Sequence, residues 1–459
     1  MALTGVSQPP QSSRRRRRRW PVITGVFVVL LVVVVGGAGW WLTGGDEGWD
    51  RSQWQPPQQV SLPSMRVEPV PGWKSDAVKL GLPPDAKITT GDGSAVPGPV
   101  IASQGDHTYL LARTPEPTAP RWWLLGVDVR DGRSLFPPIG LTLNGIAPSC
   151  FPNDKQIICV SDDHTSATAW VVDTPTGGLA YTGPTDIRLF GDTLRATRAG
   201  NHVVAATKGQ GLYGVGSKAE PTWFAPGVGV VFKSSDDVIA QGAATGSYAI
   251  EMVRTTSGEF ITPKLADDTH LEDVNFFEGG FAATVVEAGG PPAVQFFDAT
   301  GHAVNDRRVS GLLAGTAANV TAVAERADHF GIYGPTGDKL FDIAGARPSG
   351  MQVVGTTLYV GNASGAGSQT YDMESGEPGK KCDFDVSPVY LGTDGVVALR
   401  APTSAKADDA VKAYDLGSCG LAWSIPKSSG SLRMVFRVNA TLVQLSYDGT
   451  ELTSLVAPS

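Results

Sequence analysis

The stretch Ala413-Tyr414-Asp415-Leu416-Gly417-Ser418-Cys419-Gly420-Leu421-Ala422-Trp423 decides the fold, because its pattern returns along the chain at a nearly constant step. It reads as a strand ending in an aromatic residue, an Asp whose carboxylate accepts N–H groups across a turn, a Gly that supplies positive φ, and a returning strand. Relatives of it are Val127-Asp128 with Gly132 and Phe136, Val172-Asp173 with Gly177 and Tyr181, Phe297-Asp298 with Gly301, Tyr371-Asp372 with Gly376, and Tyr447-Asp448-Gly449. Weaker copies lie at Tyr213 to Trp223, Tyr248 to Phe260 and Tyr333 to Phe341. The eight hairpins from Asp128 to Asp415 follow one another every 41 or so residues, roughly the 40 to 50 residues of a four-stranded propeller blade.

The chain between these hairpins agrees with that reading. Fifty-six glycines and 33 prolines punctuate short Val-, Ile-, Tyr- and Phe-rich runs of period two, such as Gln156 to Val160, His202 to Ala206 and Leu358 to Gly361. Nothing after residue 42 sustains a helical period over about three turns. The fold class is therefore all-β, a β-propeller of four-stranded blades, with stacked sandwich domains as the competing architecture. Eight hairpins plus a partial unit at Leu432 to Leu455 overfill the usual range of about four to eight blades. One apparent unit is thus expected to be an insertion or to be split, giving eight blades, or seven. The segment around Val60 to Val70 is expected to add the outermost strand of the last blade, closing the ring with the two ends of the chain.

The hairpin composition resembles the PQQ-like, quinoprotein alcohol dehydrogenase-like repeat, in which a Tyr-x-x-Asp-x-x-x-Gly-x-x-x-Trp unit closes each blade. Tyr414 to Trp423 is the nearest copy and Tyr371 to Gly376 the next, and the resemblance spans roughly residues 95 to 458. It implies propeller architecture. Quinone-dependent members of that family hold their cofactor over a tryptophan, beside calcium, with an Asp base and often a disulfide between adjacent cysteines. Here no two cysteines are adjacent and no calcium set maps onto the blades, so no cofactor and no metal are expected. The family also has a non-enzymatic branch, a propeller lipoprotein of outer-membrane assembly machinery that binds partner segments.

Location follows from the N-terminus. Arg14, Arg15, Arg16, Arg17, Arg18 and Arg19 abut an uncharged apolar run from Trp20 to Leu42 that ends beside Trp40-Trp41. About 20 apolar residues span a bilayer core, cationic flanks stay on the cytoplasmic side, and tryptophans favour the interface. Residues 1–19 are expected to form a cytoplasmic basic tail, 20–42 a transmembrane signal-anchor, 43–58 a linker, and 59–459 an extracytoplasmic propeller. Cleavage as a secretory signal is the alternative. Gly-, Ala-, Val- and Arg-rich composition points to a bacterial, actinobacterial source, where the acceptor patterns at Asn319, Asn362 and Asn439 would stay bare.

Six of the 37 basic residues precede residue 46, so the rest of the chain carries 31 basic against 45 acidic side chains. Such a surface repels phosphate backbones and argues against nucleic acid as a partner. The four cysteines, Cys150, Cys159, Cys382 and Cys419, all lie where an oxidising compartment allows disulfides. Three connectivities are open. Phe151-Pro152-Asn153-Asp154 reads as a turn that favours Cys150 with Cys159, leaving Cys382 for Cys419.

Catalytic chemistry finds no foothold. The chain lacks a Gly-x-Ser-x-Gly elbow and a His-Glu-x-x-His pair, and its six histidines, His107, His164, His202, His270, His302 and His329, are scattered. Trp122, Trp123, Trp170, Trp223 and Trp423 read as packing between blades. The acidic clusters Asp162-Asp163-His164 and Asp267 to Asp273 lack the spacing of a calcium loop and read as solvated loops. The function that fits is a docking or scaffold module for envelope proteins, anchored by a single pass in the plasma membrane. A quinone-dependent or glycan-active enzyme, or a ligand sensor without turnover, is the alternative.

Overall fold

The computed structural model describes residues 45–89, 99–116, 120–142, 147–244, 249–345, 347–348, 350–362, 367–386, 390–401, 408–426 and 432–458. The arginine tract Arg14 to Arg19 and the apolar run 20–42 lie outside the described residues. No helix among the described residues is long and apolar enough to cross a membrane.

Nine antiparallel sheets follow one another along the chain. Blade 1 runs from Lys87 to Leu141, blade 2 from Ser149 to Thr185, blade 3 from Arg195 to Pro226, blade 4 from Val231 to Ile261 and blade 5 from Thr269 to Ser310. Blade 6 spans Leu312 to Ala344, blade 7 Met351 to Cys382 and blade 8 Tyr390 to Pro426. Blade 9 is completed out of sequence order: Leu432–Val438, Thr441–Ser446 and Glu451–Val456 take Val70–Asp76 as their fourth strand. That pairing runs from Val70 opposite Val456 to Asp76 opposite Glu451. Closure by the two chain ends was expected, although the strand begins where the expected segment stops.

The count of eight or seven blades is corrected to nine. Every hairpin in the sequence is a genuine blade turn, and the partial unit after Leu432 is a full blade whose missing strand comes from the start of the chain. No unit is an insertion. In blade 1 both edge strands are interrupted, each edge being shared by two short strands, so the four-stranded plan still holds.

Strands run from the inner to the outer edge of each blade, and the first strands of successive blades adjoin. Turns between first and second, and between third and fourth, strands therefore share one side, the turn face. Turns between second and third strands, together with the crossings to the next blade, form the crossover face.

The repeated sequence pattern has a physical basis in how neighbouring blades meet. At the third-to-fourth turn of blades 1, 2, 4 and 7, the N–H of Gly132, Gly177, Gly258 or Gly376 donates to the carbonyl four residues earlier, with the glycine at positive φ. A Cβ on Gly177 would lie 2.2 Å from Phe136, and one on Gly258 2.6 Å from Trp223, both residues of the preceding blade. The glycine is needed for close approach as well as for its backbone. The carbonyl one residue after the turn-opening position receives a polar hydrogen from the preceding blade. Trp73 Nε1 donates to Val129 O (2.8 Å), Tyr109 Oη to Thr174 O (3.3 Å), and Trp223 Nε1 to Thr255 O (3.2 Å). Nine apolar clusters fill the gaps between and within blades, with Trp122 and Trp170 in one and Trp423 in another.

Blades 3, 5 and 6 close the turn with a bond three residues back, and blades 8 and 9 use other devices. In blade 8 the positive-φ position is Cys419 (φ 61°), not Gly420, and it is bonded to Cys382 of blade 7, so a disulfide stands where other interfaces place an aromatic ring on glycine. In blade 9, which has no third-to-fourth turn, Trp423 Nε1 donates instead to Met65 O (2.8 Å). The other disulfide, Cys150–Cys159, joins directly opposed residues of the first two strands of blade 2.

The segment expected to be a free linker is docked over its described part. Helix α1 (Gly45–Gln53) lies against the outer strand of blade 6, with Arg51 Nη1 donating to Leu340 O (2.5 Å) and Arg51 Nε to Glu374 O (3.3 Å). The chain then crosses the turn face as a strap. Asn319 Nδ2 donates to Gln55 O, Gln59 Nε2 to Val353 O, Arg437 Nη2 to Val60 O, and Leu62 N to Thr393 O. Pro- and Gln-rich composition signals a tether, yet these contacts use mainly main-chain carbonyls and so leave no mark in side-chain patterning.

Candidate functional site

The residues singled out from sequence are placed as follows. All four cysteines are bonded in the expected pairs. Asp162 is fully buried and receives Arg188 Nη2 at 2.6 Å, Arg188 Nε at 3.1 Å, and the N–H groups of Leu189 and His164. Burial pushes its carboxyl up, but these donors outweigh it and hold the group below the usual range. Asp163 caps its own turn through Thr165 and Ser166. Asp162 thus locks the crossing from blade 2 to blade 3, and Asp163 its own turn.

The histidines stay scattered. His302 Nδ1 lies 2.7 Å from Thr300 Oγ1, but that hydroxyl donates to Asp298 Oδ1 (2.6 Å) in an exposed turn, which spends it on turn geometry. One group that sequence reading missed has metal-ligand chemistry: Glu325, His329 and Asp342 converge on blade 6 from three different strands. Lys339 Nζ already sits among them, 3.0 Å from Glu325 Oε1 and 2.6 Å from Asp342 Oδ1. Burial lowers the Lys339 pKa, but its carboxylate partners raise it more. With an ammonium in the position a dication would take, the group is an ion-pair network under α1, and Tyr333 Oη adds a donor to Glu325 at 2.5 Å. No local motif could reveal it, because the residues meet only through strand register.

Two hollows remain. On the turn face a cavity of about 380 Å³ lies among blades 2, 3 and 4, lined by Asn153, Lys155, Asp173, His202, Thr222 and Thr255. Its polar walls are partly spoken for, with Asn153 Nδ2 bonded to Val215 O and Lys155 O accepting Thr174 Oγ1. On the crossover face a larger cleft of about 890 Å³ separates blades 4 and 5, lined by Glu251, Phe260, Leu265, Thr269, His270 and Leu271. The second acidic cluster, Asp267 to Asp273, borders this cleft, so it is a wall of a hollow rather than a bare bridge between blades. Burial alone raises the Glu251 pKa. Glu251 Oε2 and Thr269 Oγ1 are sealed from solvent without a hydrogen-bond partner among the described residues.

Comparison with known proteins agrees with nine blades. Residues 46–458 match the family described as a conjugation-associated 9-bladed beta-propeller domain. An uncharacterized protein of Mycolicibacterium smegmatis (strain MKD8) is 31% identical over 434 residues, covering 89% of each chain. Among solved structures, BamB from Moraxella catarrhalis is 14% identical, over 75% of this chain and 93% of that one, with a TM-score of 0.34. A eukaryotic initiation factor is 12% identical over 72% and 89%, with a TM-score of 0.45. The family match carries the propeller and not the PQQ-like subtype of its repeat.

Proposed function

This chain belongs to the conjugation-associated nine-bladed β-propeller family, and we propose that it is a protein-docking scaffold of the bacterial cell envelope, held in the plasma membrane by one helix at residues 20–42. The observation that carries the docking reading is the contrast between the two faces. The turn face of blades 6 to 9 is crossed by the chain's own strap, while on the crossover face the described residues of blades 4 and 5 form an open cleft. Rigid repeat rings present wide surfaces built from loops, the usual seat of recognition. The family description supports work in a conjugation-associated apparatus. A net charge of −14 after residue 45 favours protein partners over the nucleic acid itself.

The anchor reading rests on the apolar run behind six arginines and on the two tryptophans at its end. It leaves only residues 43 and 44 before α1, so the rim at blade 6 would sit against the outer membrane surface. The test is affinity purification of the full chain from envelope solubilised in mild detergent, with protease protection of its C-terminus on intact cells. A stoichiometric envelope protein and a protease-accessible C-terminus are expected. Purification of the chain alone under gentle conditions overturns the scaffold, and a protected C-terminus overturns the topology.

A further inference from the structure

Resting on the docking reading, we propose that the crossover-face cleft between blades 4 and 5 receives an extended protein segment carrying a Lys or Arg side chain flanked by apolar residues. Its walls are apolar where Ile250, Phe260, Pro263, Leu265 and Leu271 meet. Its polar groups are Glu251, Asp268, two threonines and His270, whose Nε2 lies 3.4 Å from Glu272 Oε1. Glu251 Oε2 is sealed without a hydrogen-bond partner among the described residues and burial raises its pKa, while Asp267 and Asp268 stand exposed at the mouth. The nearby basic side chains are directed elsewhere: Lys264 is exposed outside the lining, Lys233 is bound to Asp273 (2.7 Å) and Asn275 (2.9 Å), and His270 faces Glu272.

A carboxyl in such a place gains most from a cation that brings its own apolar stem, which is what Lys and Arg offer. A second observation is Phe260, an exposed aromatic side chain that itself lines the cleft. Among the described residues the other exposed phenylalanines, Phe190, Phe224 and Phe232, lie outside the cleft lining in the arc from the blade 2 crossing to blade 4, and the exposed Trp49 and Tyr447 lie on α1 and blade 9. Exposed aromatic side chains beside a cleft are typical of an interface centre, where they anchor a partner. The volume, about 890 Å³, accommodates several side chains, and the opening onto a loop face suits a chain passing through rather than an enclosed small molecule.

The test uses the full-length protein in nanodiscs of zwitterionic lipid, with empty nanodiscs as the blank. The probe is a fluorescent dodecapeptide of Leu, Phe and Arg, read by anisotropy. Saturable binding is expected, weakened at least tenfold when Glu replaces Arg or Ser replaces the apolar residues. Glu251→Gln and Leu265→Ser should each weaken it at least fivefold, and the exposed charge reversal Asp268→Lys should do the same without touching the core. Phe190→Ser, outside the cleft, should leave it unchanged. Equal binding of all three peptides, no saturable binding, or full binding by Asp268→Lys overturns the proposal. Recovery of the same envelope partner by the intact and cleft-altered chains would also overturn the cleft assignment, and would leave the docking reading standing.

Discussion

Blades 6 to 9 and blades 2 to 5 share one four-stranded plan, but the first group is tied down from outside and the second is not. Under blades 6 to 9 runs the strap from α1 to Met65, a disulfide joins blades 7 and 8, and the chain ends close blade 9. Among the described residues blades 2 to 5 have no strap, and their one disulfide lies within a blade. They hold the exposed phenylalanines and the cleft, in whose lining Glu251 and Thr269 each have a sealed oxygen without a hydrogen-bond partner among the described residues. Sealed, unpartnered atoms occur as often in the strapped arc, on Trp54, Asn319, Thr321 and Arg400, so the strap, the disulfides and the cleft carry the contrast. The difference teaches that one arc of the ring maintains the disc and the other is left for use.

Removing residues 45–76 tests that contrast most severely. It takes away α1, the strap and the fourth strand of blade 9, and the expected outcome is loss of a single cooperative transition in calorimetry. A truncated chain melting within a few degrees of the intact one would show that the strapped arc does not hold the ring. Next come the disulfides. In the chain-entropy description, Cys382→Ser with Cys419→Ser, closing a longer loop, should cost about 4 kcal/mol, and Cys150→Ser with Cys159→Ser about 2.5 kcal/mol, by denaturant unfolding. Equal costs would remove the distinction between a staple across blades and one within a blade.

Asp162→Asn probes the unstrapped arc, where a buried ion pair with Arg188 does the joining. Breaking such a pair costs about 3 kcal/mol, and the loss should be the same with the strap present or absent. Acid should act on the same group and on turn carboxylates, among them Asp128, which the Arg130 guanidinium holds down to about 2. The folded pKa values lie below the unfolded ones, so the unfolded chain takes up protons first as pH falls. Melting temperature should therefore hold above about pH 5 and decline steadily from about pH 4 to pH 2. A flat profile over that range would count against the turn carboxylates. The smallest effect belongs to Trp423→Phe, which leaves Met65 O without its donor and should cost about 1 kcal/mol by denaturant unfolding.

Much of the ring was legible because each blade needs the same turn chemistry. Asp128, Asp173, Asp298, Asp372 and Asp415 open turns whose sequence signature is short and local. The blade count went astray at Asp448, which marks the second-to-third turn of a blade whose outer strand is almost 400 residues away. Cys419 was hidden by its neighbour Gly420, the residue that looks fit for positive φ but does not carry it. The strap was read as a tether, since carbonyl groups accept hydrogen bonds whatever side chain they carry. The cleft was invisible for another reason: Glu251 and Thr269 are ordinary residues until blade register puts them in one hollow.

Because Val70–Asp76 must wait for Glu451–Val456, the first blade-forming strand to be synthesised pairs with the last. A growing chain is therefore an open arc with two raw edges until nearly every residue has emerged, and unpaired edges invite association with other chains. Biogenesis of this protein thus includes a long interval in which its earliest strand is kept single, and any arrest of synthesis before residue 451 yields a species that cannot become a disc.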